Sequence, residues 1–107
     1  MPHFMYNVDY TADAWKAQVG HPKHRMEAIT PVIEKMGGKV ISAYYTFGKE
    51  DLICIVEMPS NEAAAAFAIS ASAGGAVSNI ATTVLMTMEE GFAAIQAAGK
   101  STYEVPK

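Results

Sequence analysis

Asp51 is the first candidate for chemistry in this 107-residue chain. It closes the polar stretch Gly48-Lys49-Glu50-Asp51 between two apolar, β-rich runs, where a carboxylate at a pocket mouth could take a proton or anchor a ligand. Turn chemistry accounts for the same residues, since glycine permits positive φ and an aspartate accepts from nearby backbone N–H groups. Tyr6, Tyr44, Tyr45 and Trp15 could line a pocket and orient an organic ligand, or could equally be core or subunit-interface aromatics. Asn7 is an amide inside a strand, and a buried amide needs partners for its donors and its acceptor, from a structural network, a water or a ligand. His21, His24 and Glu27 recur every third residue, so on one helix they would share a face that could hold a metal, with His3 as a further ligand. Haem ligation by His24 is a variant of that idea, and a solvated helix start explains the same residues without any metal. Arg25 could hold an anion or make a surface ion pair. Cys54, between Ile53 and Ile55, reads as a small buried hydrophobe. No glycine-rich phosphate loop, serine elbow or paired-cysteine spacing is present, so no cofactor is expected.

These residues need elements to position them. Half of the chain is apolar and 18% is charged, the composition of a globular domain. A net charge of −3 with no Lys/Arg cluster argues against nucleic acid. The N-terminus lacks a signal-peptide pattern, and the longest apolar stretch, 63–77, is short of the ~20 residues of a membrane span. A single cysteine fits a reducing compartment, so a cytoplasmic protein is expected.

Residues 3–10 alternate Phe4, Tyr6, Val8 and Tyr10 against His3, Met5, Asn7 and Asp9, the pattern of a strand. Thr11 can cap a short helical turn through Lys16. Pro22 suits the first position of a helix carrying Met26, Ile29, Ile33 and Met36, kinked at Pro31 and stopped by Gly37-Gly38. Strands follow over 40–47 and 52–58, then a helix from Ser60 to Ala73, a strand over 76–88, and a short C-terminal helix ended by Gly99. Thr87 and Glu90 have capping-box spacing at the start of that last helix. Residues 1–99 are read as one domain and 100–107 as a tail.

The order predicts an α+β, ferredoxin-like βαββαβ antiparallel sheet, with strands one and three central and helices on one face. Both faces of its strands are apolar. An uncovered face of roughly 400 Å² would cost on the order of 10 kcal/mol in lost burial, so a face-to-face homodimer is expected.

The segments His-Pro-Lys-His-Arg at 21–25, Gly-Gly-Lys at 37–39, Ala-Tyr-Tyr-Thr-Phe-Gly at 43–48, Asp-Leu-Ile at 51–53 and Glu-Met-Pro at 57–59 stand in a specific order. In that order and spacing the chain resembles the GYD-domain family of the dimeric α/β-barrel group. Gly48 and Asp51 match the family's Gly…Tyr-Asp signature, and Glu50 stands where its tyrosine is expected. The resemblance implies the fold and the dimer. Relatives on the scaffold include cofactor-independent monooxygenases, haem proteins and muconolactone-isomerase-like enzymes, so the fold alone does not select an activity. The leading expectation is a protein that binds a small apolar or aromatic molecule between sheet and helices, oriented by Tyr6, Asn7, Trp15, Tyr44 and Asp51. One alternative is a cofactor-independent oxygenase or isomerase in which Asp51 or His24 moves a proton. The other is an assembly module without a pocket.

Overall fold

The computed structural model of the chain describes residues 1–101, Glu104 and Pro106. The expected tail therefore lies outside the described residues at Thr102, Tyr103, Val105 and Lys107. The elements run β1 (His3–Tyr10), α1 (Ala12–Gly20), α2 (Arg25–Lys35), β2 (Lys39–Tyr45), β3 (Leu52–Glu57), α3 (Asn61–Ala73), β4 (Val77–Leu85) and α4 (Met88–Gly99). The strands form one antiparallel sheet in the order β2-β3-β1-β4, so β1 and β3 are central, as in the ferredoxin-like arrangement. No helix among the described residues is long and apolar enough to cross a membrane.

Alternation sets the core. Phe4, Tyr6 and Val8 of β1 face Val56, Cys54 and Leu52 of β3 across the ladder, and all six are buried. Ile33 of α2, Ala64 and Phe67 of α3, and Met58 seal this face. The Tyr6 hydroxyl would be costly to leave unpaired there. It donates to the Ala64 carbonyl at 2.7 Å, and its ring lies 5.1 Å from that of Phe67. On the opposite face, Met5, Asn7, Ile53 and Ile55 remain partly exposed, with nothing sealing them.

Several local expectations shift. The first helix runs on to Gly20, four residues past Lys16, and α2 starts at Arg25, not at Pro22. A residue before proline is pushed out of the α region, and His21 accordingly leaves the helix at φ −140°, ψ 80°. Pro31 sits inside one continuous α2, whose apolar stripe keeps its phase across it. The last strand stops at Leu85 because Thr87 already caps α4. Within β2 the register slips between Val40 and Ser42, so Ile41 is an extra residue. The slip brings Val40, Ala43 and Tyr45 onto one face, opposite Val56, Cys54 and Leu52.

The end of α2 depends on its glycines. The Gly38 N–H donates to the Ile33 carbonyl at 3.0 Å and the Gly37 N–H to that of Glu34 at 2.9 Å, a Schellman closure with Gly37 at φ +87°. A Cβ on Gly38 would lie 2.5 Å from the Glu57 carbonyl oxygen and press on the Met58 sulfur. Gly38→Ala should therefore lower stability by about 1–3 kcal/mol in urea unfolding.

Burial also makes the core sensitive to alkali. It pushes the Cys54 thiol from 9.0 up to about 11 and the Tyr6 hydroxyl from 10.0 up to about 12, Cys54 adding to the latter. Below pH 9.0 both groups are protonated whether folded or not, and the core's stability is fully present. Above that the unfolded chain sheds the thiol proton first, so stability falls as pH rises toward about 11, and the phenol extends the fall to about 12. Cys54 borders a small apolar void that can take an added methyl group. Cys54→Val should thus unfold at nearly the parent urea midpoint at neutral pH and lose less stability between pH 9.0 and about 11.

Candidate functional site

The functional features gather where the ends of β1 and β2 meet the start of β3. Asp51 ties them together. Its backbone N–H donates to the Val8 carbonyl and its own carbonyl accepts from the Thr46 N–H, both at 3.0 Å. Its Oδ2 accepts from the Tyr10 N–H at 2.8 Å and from the Trp15 indole Nε1–H at 3.3 Å. One carboxylate oxygen thereby joins the hairpin turn to β1 and to α1. The turn reading of Asp51 accounts for these bonds, and the side chain it fixes is Trp15, one of the candidate aromatics.

Trp15 is the centre of an aromatic group. It stands edge-on to Tyr10 at 5.4 Å and tilted against Tyr45 and Phe47 at 6.5 and 6.4 Å. Tyr45 and Phe47 stack at 5.3 Å. Phe47 has φ +50°, a conformation that costs a non-glycine residue roughly 1 kcal/mol or more. The Thr46 hydroxyl donates to the Glu50 carbonyl and the Gly48 N–H to the same oxygen, holding the turn around it. Across the group, the Arg25 guanidinium lies 4.7 Å from the centre of the Tyr10 ring, a cation–π contact. Burial raises the Tyr10 hydroxyl above its ordinary pKa of 10.0, and Arg25 offsets only part of that.

Beside this group opens a cleft of about 340 Å³. Met26, Ala43, Tyr44, Tyr45 and Leu52 form its apolar and aromatic wall, and Gln18, Lys23, His24 and Arg25 its polar one. The space between sheet and helices is much smaller. The void lined by Tyr6, Val8, Cys54 and Phe67 is about 40 Å³, enough for a water and too small for an organic molecule.

The candidates are thus divided. Tyr6 is core, with its hydroxyl used. Asn7 lies on the opposite face of the sheet, paired across the ladders with Ile53 and Ala81. Trp15 and Asp51 are joined, and Tyr44 and His24 line the cleft. His21 and His24 do not share a helix face: His21 ends α1 and His24 is the N-cap of α2, so the spacing argument for a metal fails. Among the described residues no three or more His, Cys, Asp or Glu side chains come together as a metal-holding group. Gln18 and Lys23 line the cleft and stand outside the set of residues whose type and spacing suggest chemistry. The cations Lys23 and Arg25, just after a proline that breaks the helix, are the signal in the sequence.

The chain belongs to the GYD-domain family, which it matches over residues 4–95. In structure it is similar to MtbAldR, with a TM-score of 0.57 at 17% identity, over 80% of this chain and 52% of that one. The chain thus spans about half the length of MtbAldR. A likeness at that identity shows the shared fold. No curated protein matches the chain in sequence.

Trp15 is the only tryptophan, so its fluorescence reports on the Asp51 knot without interference. Asp51→Ala should cost about 1–3 kcal/mol, by orphaning the part-buried Tyr10 N–H, and should shift Trp15 emission to the red. Asp51→Asn keeps an acceptor oxygen and should recover most of both.

Proposed function

We propose that this chain is a homodimeric binding protein for a compact aromatic molecule bearing a negative charge, held in the cleft between β2 and the start of α2. The observation that carries the reading is the cleft's composition. Its volume of about 340 Å³ is within the ~300–1,000 Å³ range of small-molecule sites. Tyr44, Tyr45 and Leu52 give the lining its aromatic and apolar part, and Lys23 and Arg25 share that lining with no carboxylate in it. The chain as a whole is acidic, so two cations at one cleft are not a general surplus of basic charge. Neither makes an ion pair with a described residue.

Homodimerisation belongs to the same reading. Met5, Ile53 and Ile55 give the uncovered sheet face an apolar centre, with Leu85 and the His3–Glu57 pair at 3.3 Å on its rim. A second copy with the same face is the simplest cover. A reducing, cytoplasmic setting suits the lone free Cys54.

The test is a titration followed by Trp15 fluorescence, using benzoate and 4-hydroxybenzoate against benzamide. The acids should bind more tightly than the amide. Arg25→Gln should weaken them by about tenfold or more, the usual scale for a hydrogen bond to a charged group, and leave the amide unchanged. Equal binding of acid and amide, or no response to any of them at millimolar concentration, would refute the proposal.

A further inference from the structure

α4 has little to bury against within its own chain. It carries Met88, Phe92 and Ile95 at intervals of four and three, one stripe of a helix, and they are 86%, 61% and 71% exposed. Val84 and Met86, leading into the helix, are exposed as well. Among the described residues, no other element packs along it by more than a contact or two. The described residues have a radius of gyration of 17.2 Å, where a compact domain of this length has about 13 Å, and their longest dimension is 58 Å against a shortest of 22 Å.

The helix is nevertheless built to form. Its capping box is complete: the Thr87 hydroxyl accepts from the Glu90 N–H at 3.0 Å, and the Glu90 carboxylate accepts from the Thr87 N–H at 2.9 Å. A lone helix of about 12 residues is marginal in water, so a cap does not replace cover for the stripe. Only Met86 and Thr87 separate Leu85 of β4 from Met88, and Thr87 is engaged in the cap. That short link leaves α4 little freedom to turn back over its own sheet.

We infer that α4 is an arm that reaches the second copy of the chain and lays Met88, Phe92 and Ile95 on it. This rests on the homodimer proposed above and says how that dimer is held. The area argument points to a second copy. Four strands ~4.8 Å apart and ~20 Å long present roughly 400 Å² of flat face, about half of the ~800 Å² that each partner contributes to a standard interface. A buried aromatic alone adds about 150–250 Å², so the arm closes most of the gap. Among the described residues, the outer sheet face and the α4 stripe are both apolar and without cover. A two-fold pair of identical copies can satisfy both.

The experiment compares the full chain with Phe92→Asp/Ile95→Asp and with Ile55→Asp, by sedimentation and native mass spectrometry across a concentration series. The arm variant should remain folded by near-ultraviolet circular dichroism and raise the dimer Kd by at least about tenfold. In a mixed sample of isotope-labelled and unlabelled copies, Phe92 and Ile95 should give isotope-filtered NOEs to the other copy. If Ile55→Asp dissociates the dimer while the arm variant leaves Kd unchanged, or the NOEs stay within one copy, the arm is overturned and the sheet-face dimer stands. If the full chain is a folded single subunit at every concentration, the dimer itself is refuted and the arm with it.

Discussion

A central strand in a one-layer sheet has neighbours on both edges, so its side chains are its only freedom, and they must alternate. β1 meets this constraint with Phe4, Tyr6 and Val8 on one side and Met5, Asn7 and Asp9 on the other. A one-residue slip would carry the first set off the core. The ladder to β3, Phe4 to Val56 and Tyr6 to Cys54, therefore has one workable register. α2 and α3 are shaped by it too, since Ile33, Ala64 and Phe67 must meet that face. Tyr6 is the one polar intruder, and its hydrogen bond to the Ala64 carbonyl aligns α3 with the strand as it satisfies the hydroxyl.

The same closure decides where a ligand can go. With the space between sheet and helices reduced to about 40 Å³, an organic molecule there would have to displace close-packed side chains. The sheet end is different. There residues 21–24 separate α1 from α2, and the Asp51 carboxylate holds the Tyr10 N–H and the Trp15 indole on one oxygen. The residue that looks like a turn former in the sequence therefore also sets the angle of the aromatic group beside the cleft.

Strand alternation at 3–10 and 52–57, the caps at Thr11, Ser60 and Thr87, and the Gly37-Gly38 stop are local signals, and each was legible because its physics is local. What was not legible needed a partner. The extra residue at Ile41 has no glycine or proline to mark it, and only pairing with β3 reveals it. That slip moves Tyr45 onto the face of Val40, beside Trp15, and leaves Tyr44 at the cleft lip, 64% exposed. Pro22 is compatible with a helix start, and the alternative, that it ends the preceding residue's helix and opens a loop, is equally good chemistry. The choice moved two histidines off a common face. Asn7 was a sound candidate for an unusual environment, but period-two geometry alone puts it across the sheet from Tyr6, whatever its role.

Electrostatics at the cleft follow from the same loop. Lys23 and Arg25 stand two residues apart on one short segment, and both line the cleft. Arg25 is drawn aside by the Tyr10 ring, whose π face attracts a guanidinium without neutralising it. A carboxylate from the chain would quench the positive corner, yet Asp51 is turned toward Tyr10 and Trp15, and the first-turn acid of α2, Glu27, does not line the cleft. The Tyr10 hydroxyl, raised by burial, stays neutral across the physiological range and adds no negative charge. Asp51 is thus committed elsewhere, Glu27 lies outside the lining and the Tyr10 phenol is kept neutral, which leaves Lys23 and Arg25 as the charged side chains of the cleft lining.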